Sequence, residues 1–253
     1  MCYDIAYMTK RAEKYAEHYR VDKKSITANL KSAQPVYHVQ AFAHPDIPVI
    51  TNESPGELNF FHWGLIPFWV KDVQTATKIS NQTLNARGEE MFNKPSFRNS
   101  ARKRRCLVVV DGFYEHHWED DKSYPFYISM KNDEPFSLGG LWETWRLEKE
   151  GIERHTVSIV TTRGNEMLNW IHNKPKASEG PRMPLIIPQE LESDWLNAAD
   201  DPVGISLIKD MIQPYESEKM KAHTVNRLRG KQYIGNKPAV CEPYNYEGFS
   251  PKY

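Results

Sequence analysis

The second residue is a cysteine, and that position carries a chemistry open to no internal residue. If methionine were removed from Met1-Cys2, Cys2 would hold a free α-amine and a thiol on adjacent carbons, two nucleophiles in one residue. The plainer reading is a free thiol that packs as a small hydrophobe at the start of a buried strand. Several polar residues interrupt apolar, aromatic stretches elsewhere and could assist such a nucleophile. Glu115, in CLVVVDGFYEHHW, follows a buried run beside Phe113, Tyr114 and Trp118. Apolar company favours the protonated carboxyl and suits it to general acid–base work. Asn85 and Arg87, in TLNARGEE, stand two apart and share one side of an extended chain. The amide both donates and accepts, and the guanidinium can fork onto a phosphate or carboxylate. A helix cap and a surface ion pair with Glu89 is the plainer use of the same residues. His172 closes WIH before a polar, proline-flanked loop that leads to Arg182-Met183-Pro184. An imidazole there can shuttle a proton near neutral pH or serve as a hydrogen-bonded structural residue.

Two further kinds of segment bear on partners. FHWGLIPFW sets Trp63 and Trp69 around a Gly-Leu-Ile-Pro turn, either as an aromatic cluster at the edge of the core or as a platform for an unstacked base. RNSARKRR begins with Arg98, and KMKAHTVNRLRGK carries Lys219, Lys221, Arg227, Arg229 and Lys231 without an acid. Such runs are ordinarily solvated faces. Converging on the aromatic platform, they would make a groove for single-stranded nucleic acid. The neighbours His116 and His117 point to opposite faces of a strand and do not chelate one ion, so neither a metal nor a cofactor is expected.

Those residues need a scaffold, and the chain is long enough to build one. Its 253 residues can bury a substantial core, and 33 basic residues balance 33 acidic ones, so net charge gives no argument for a polyanionic partner. Cys2, Cys106 and Cys241 are far apart and odd in number, which suits a reducing cytoplasm rather than a disulfide framework. Only Met1 precedes Cys2, so a lipidated cysteine is not expected, and no segment approaches a membrane-spanning run. A monomer is expected. Strands are read in CYDIAYM, VYHVQAFA, ELNFFHWGLI, KRRCLVVVDGFYE, YPFYISM, PFSLGGLWETW and RHTVSIVTT, with a turn at Asp111-Gly112. Helices are read in KRAEKYAEHYR, GNEMLNWIH and QELESDWLNAAD. The pattern predicts a single α+β domain with a mostly antiparallel, barrel-like β core and peripheral helices over 1–235. An irregular C-terminal extension, rich in Pro, Gly and Tyr, is expected over 236–253.

In order and spacing the set resembles the SRAP family, the SOS-response-associated peptidases or abasic-site processing proteins. The resemblance rests on Cys2 behind the initiator methionine, W-G-L-I-P at 63–67, N-A-R at 85–87, R-R-C-L-V, D-G-F-Y-E ending at Glu115, His172, and R-M-P at 182–184. It implies single-stranded DNA with abasic sites as partner, and a covalent DNA–protein crosslink through Cys2. Asn85, Glu115 and His172 would be the matched site residues, Arg87 the DNA-phosphate contact, and Trp63, Trp69, Arg98 and Arg182 further DNA contacts. An opened abasic sugar is an aldehyde. An amine condenses with it to an imine, and a thiol one carbon along closes a five-membered thiazolidine. The same layout could remove Met1 autocatalytically, by attack of the thiol on the preceding carbonyl.

The sequence departs from the family pattern at Tyr3-Asp4, where Gly-Arg is usual, at His116, where tryptophan is often found, and in the NKPKASEGP stretch before R-M-P. Two rivals remain open. An N-terminal-nucleophile amidohydrolase would turn over a small amide without DNA. A non-covalent single-strand-binding module would bind in a salt-sensitive manner that does not need Cys2.

Overall fold

The computed structural model describes residues 2–10, 12–20, 34–174 and 180–253, so Met1 and part of the loop after His172 lie outside the described residues. Thirteen strands form among them. The first seven are β1 (Asp4–Tyr7), β2 (Val36–Gln40), β3 (Asp46–Thr51), β4 (Asn59–Trp63), β5 (Asn85–Arg87), β6 (Arg105–Val110) and β7 (Gly112–Glu119). The rest are β8 (Lys122–Met130), β9 (Phe136–Leu147), β10 (Ile152–Arg163), β11 (Arg182–Pro184), β12 (Ile186–Ile187) and β13 (Met220–Thr224).

Five of these close on themselves. β3 pairs antiparallel with β4 and β6, β6 with β9, β9 with β10, and β10 runs parallel to β4. Closure leaves this ring without a free edge. Its interior is the alternate, wholly buried set that includes Val108, Val110, Leu138, Val157 and Ile159. The second sheet runs β13-β8-β7-β1-β2. The expected single α+β domain with a barrel-like core is therefore what the chain forms.

Six helices surround the sheets among the described residues: α1 (Ala12–Tyr19), α2 (Val73–Gln82), α3 (Arg98–Lys103), α4 (Glu166–Ile171), α5 (Glu192–Asn197) and α6 (Pro202–Asp210). Three start on a side-chain cap. Asp72 accepts from the Thr75 amide at 2.7 Å, Asn165 from Leu168 at 2.9 Å and Asp201 from Gly204 at 2.7 Å.

Strand β3 carries a proline that its ladder tolerates, and one local expectation is corrected. Pro48 faces Phe60 of β4, while pairing to β6 begins only at Val49, so its missing amide leaves no ladder bond unmade. Asp111-Gly112 is not a hairpin turn. Strand β6 belongs to the ring and β7 to the second sheet, so the chain changes sheets at Asp111. The buried Asp111 carboxyl holds that crossing: it accepts from Tyr15 at 2.6 and 2.7 Å and from the Thr9 amide at 2.7 Å and hydroxyl at 2.9 Å. Residues 236–253 contribute only the 3-10 turn Pro238–Cys241, but they are packed down, with Phe249 stacked on Tyr124 at 3.9 Å.

The W-G-L-I-P segment turns on Gly64, whose φ of +124° is open to glycine and strained for any other residue. A Cβ there would sit 2.2 Å from Ser80 Oγ and 2.8 Å from the Ser80 carbonyl oxygen. Gly64→Ala is therefore expected to cost about 2–3 kcal/mol. Thermal melts should show that as a Tm lower by roughly 4–12 °C.

Candidate active site

Strand β1 lies between β2 and β7 and places the N-terminus inside the molecule. The register Asp4 opposite Tyr114 brings the residues before Asp4 alongside Glu115. Cys2 is only 1% exposed, and its carbonyl accepts from Asn85 Nδ2 at 2.8 Å. Asn85 and Arg87 do lie in one strand, β5, aligned by parallel pairing to Ile159 and Thr161 of β10. Asn85 Oδ1 is buried with no hydrogen-bond partner among the described residues, an acceptor next to the Cys2 backbone that awaits a donor. Burial pushes the Cys2 thiol well above the ordinary cysteine range. The Glu115 and Asp4 carboxylates push the same way, and the Asp4 amide, which bonds the sulfur, pulls it back. The thiol is therefore held protonated.

Glu115 comes from β7. Its Oε1 accepts from the His116 amide at 2.9 Å and its Oε2 lies 3.5 Å from His172 Nδ1, both side chains being nearly buried. His172 caps the C-terminal end of α4, and the same Nδ1 is 3.2 Å from the Arg182 carbonyl. The next residue fixes it: Asn173 Oδ1 accepts from the Trp118 amide at 2.8 Å, and Asn173 Nδ2 donates to the Trp118 carbonyl at 2.7 Å. One side-chain amide thus ties the end of α4 to the edge of β7, on the strand that carries Glu115. Sequence reasoning had not singled out Asn173; nothing in an Asn-Lys-Pro stretch marks which backbone it will meet.

Tyr3, Asp4, Glu115, Trp118, His172 and Arg229 line a cleft of about 480 Å³ above this cluster. His116 also lines it, whereas His117 stacks on Trp170 at 4.0 Å, so the two histidines face apart as expected of neighbours in a strand.

The structure brings Cys2, Asn85, Glu115 and His172 together; it treats the other candidates differently. Trp63 is wholly buried and donates from Nε1 to the Leu84 carbonyl at 2.8 Å, so the base-platform expectation is corrected to a core role. Arg182 is 2% exposed. Its guanidinium is spent on Glu89, at 2.8 Å, and on the Thr161 carbonyl, also at 2.8 Å, so the expected DNA contact is corrected to a structural ion pair. Arg87 remains half-exposed, with Nη1 3.4 Å from Glu90 and a buried Nε that has no hydrogen-bond partner among the described residues. Trp69 is 41% exposed beside an exposed Phe68. Arg98 is exposed on α3, and it is not among the residues lining the cleft.

The packing predicts an order of thiol reactivity in the chain that retains Met1. Burial pushes Cys241 only to about 11 but holds Cys2 and Cys106 higher. With iodoacetamide at mildly alkaline pH, Cys241 should label first and Cys2 roughly tenfold or more slowly. Peptide mass spectrometry reads this directly, and equal rates would mean that the N-terminus is not held closed.

The geometry can be set beside known proteins. Residues 1–231 match the family described as SOS response associated peptidase (SRAP). The chain is 36% identical over 200 residues to the abasic site processing protein YoqW of Bacillus subtilis, an alignment covering 78% of this chain and 82% of that protein. It is 33% identical over 196 residues to the abasic site processing protein YoaM of the same organism, covering 77% and 79%. A crystal structure of a protein from Bacteroides thetaiotaomicron superposes with a TM-score of 0.83 at 34% identity, covering 96% of this chain and 100% of that one. A Bordetella bronchiseptica protein of 22% identity shares the fold, with a TM-score of 0.73. With the family's match spanning nearly the whole chain, and with Cys2 held by Asn85 beside the Glu115–His172 pair at the floor of the cleft, this protein belongs to the SRAP family.

Proposed function

We propose that this protein processes abasic sites in single-stranded DNA, capturing the opened sugar on Cys2 once Met1 has been removed. The observation that carries the reading is the placement of Cys2: its carbonyl is held by Asn85, its thiol is buried, and the Glu115–His172 pair stands beside it. The abasic site processing proteins to which the chain is similar support the substrate class.

Each step has a residue for its proton. The freed α-amine adds to the sugar aldehyde to give a carbinolamine. Glu115, as the acid, donates a proton to the departing hydroxyl, one water leaves, and an imine remains. The Cys2 sulfur then adds to the imine carbon while its proton passes to the nitrogen through Glu115, closing the thiazolidine. Net, an amine, a thiol and an aldehyde become one ring and one water. The proton lost from the iminium nitrogen returns to Glu115, and His172, at 3.5 Å from it, relays the anomeric hydroxyl's proton to the ring oxygen as the sugar opens. The unpartnered Asn85 Oδ1 accepts from the new amine and orients it. The amine acts first in this sequence, because the imine it forms supplies the carbon on which the sulfur then closes. In this reading Arg87 and the exposed Trp69 contact the strand, and the protein works as a monomer in the reducing cytoplasm. Release of Met1 by the Cys2 thiol, the peptidase activity of the family's name, belongs to the same proposal.

The test mixes protein of verified mass lacking Met1 with a single-stranded oligonucleotide carrying one abasic site. A band that survives denaturation is expected, and Cys2→Ala should abolish it; absence of the band from the wild type would sink the reading. Glu115→Gln should slow its formation by about a hundredfold to ten-thousandfold, the usual worth of a placed acid–base group. Asn85→Ala should slow it by up to about a hundredfold through misorientation of the amine. A single-strand-binding module would instead show retention that Cys2→Ala leaves intact and no covalent product.

A further inference from the structure

Directly behind the reactive cysteine lies a buried chain of polar groups that the proposed chemistry does not use. The Asp4 carboxylate is 4% exposed and divides its two oxygens. Oδ1 lies 3.0 Å from His38 Nε2, and Oδ2 accepts from Arg229 Nη2 at 2.8 Å. His38 is itself 4% exposed, and its Nδ1 lies 2.9 Å from the Tyr233 hydroxyl. The run Tyr233–His38–Asp4–Arg229 therefore starts and ends in one basic segment near the C-terminus and passes through the N-terminal strand.

That arrangement holds Arg229 rigidly. Leu228, just before it, is 2% exposed, and Tyr233, four residues on, is anchored to His38. Yet the Arg229 side chain remains 52% exposed and lines the cleft. A guanidinium carries five N–H donors; Asp4 takes one of them among the described residues.

The other cations of the cleft are differently engaged. Arg182 is buried against Glu89. Arg227 donates to the Ser123 carbonyl and lies over the Tyr246 ring at 4.9 Å. Lys174 sits over Trp118 at 4.2 Å and 3.6 Å from Asp121. Arg229 alone among these cleft cations is fixed at one nitrogen by a buried carboxylate and presents the rest. That is the geometry of a pre-organised oxyanion fork.

We infer that Arg229 binds a backbone phosphodiester of the single strand next to the sugar that Cys2 attacks, and that Asp4 acts as its positioning residue. The assignment rests on the single-strand reading above. Asp4 is two residues from Cys2 and its amide bonds the thiol, so a phosphate at Arg229 belongs to the nucleotide under attack or to its neighbour. The buried carboxylate costs the cleft a negative charge. It returns a fixed direction to the guanidinium, which a flexible surface arginine lacks.

The two roles separate in a salt titration with Cys2→Ala protein, which cannot crosslink, and an undamaged single-stranded oligothymidylate. Each phosphate contact on a single strand contributes about 0.7 to the slope of log K against log salt. Arg229→Ala in that background should lower the slope by about 0.7 and weaken binding roughly three- to tenfold at ~0.1 M salt. Lys149→Ala, the same charge change at the exposed end of the β9–β10 hairpin, should leave the slope unchanged. Arg229→Lys should keep the slope and lose part of the affinity, because a point charge replaces a fork.

Asp4→Asn tests positioning. Removing a negative charge should tighten DNA binding if only charge matters; loss of the anchor should weaken it, with thermal melts confirming that the variant folds. A slope and affinity unchanged by Arg229→Ala would overturn the assignment while leaving the proposed function intact. Tighter binding by Asp4→Asn would overturn the positioning role. Failure of the Cys2→Ala protein to bind the strand at any salt would remove both.

Discussion

Strand β1 is four residues long, begins at Asp4, and is nevertheless an inner strand, paired on one side with β2 and on the other with β7. Chain ends fray unless they are tied down. Here the tie is double: the ladder bonds of β1, and the Asp111 carboxyl that receives Thr9 and Tyr15 where the chain leaves that strand. Everything at the site depends on this. A terminal amine and thiol are useful only if they arrive at one place, and the register of β1 against β7 decides that place.

The sheet crossing at Asp111 serves the same end. It sends the most apolar run of the chain, β6, into the closed ring and its continuation, β7, into the sheet beside the N-terminus. The burial is expensive in polar terms, because a carboxyl in such surroundings must be satisfied. Burial raises the Asp111 carboxyl above its usual range, and the bonds from Tyr15 and Thr9 pull it back. Asp4 is satisfied by His38 and Arg229, Glu143 by Arg104 and by Asn99 at 3.2 Å, and Arg182 by Glu89 and Thr161. Removing one partner of such a pair strands a buried charge, typically at about 3–5 kcal/mol. These pairs join segments remote in the chain, and they give the site's framework a specific geometry that apolar packing alone would leave looser.

The ring, by contrast, is ordinary apolar construction, and its strands were mostly legible. Runs such as CLVVV and TVSIV are short, β-branched and bounded by turn residues, so they read as strands without tertiary information. Strand β3 did not, since a proline is harmless only when the neighbouring strand starts one residue later, and that is a fact about pairing. The helix α2 was missed for a related reason: VQTATKISNQ is polar and threonine-rich, and the Asp72 cap that starts it is visible only once its amide partner is known.

Of the site, the sequence by itself determined the chemical types and the pairings that lie close in the chain. An aminothiol masked by one methionine, a carboxyl in aromatic company, and Asn85 with Arg87 on one side of a strand all follow from residue type and the two-residue period. The tertiary structure alone decided which groups meet and which are spent. Trp63 and Trp69 read alike, but one fills the core and the other is exposed. Arg182, in the R-M-P motif, and Arg229, in a basic stretch, both stood as candidate cations; one is consumed by Glu89, and the other is left half-free on Asp4. The physical reason is that the worth of a charge depends on its burial and its partner. Partners separated by 225 residues, as Arg229 and Asp4 are, come together only through the fold.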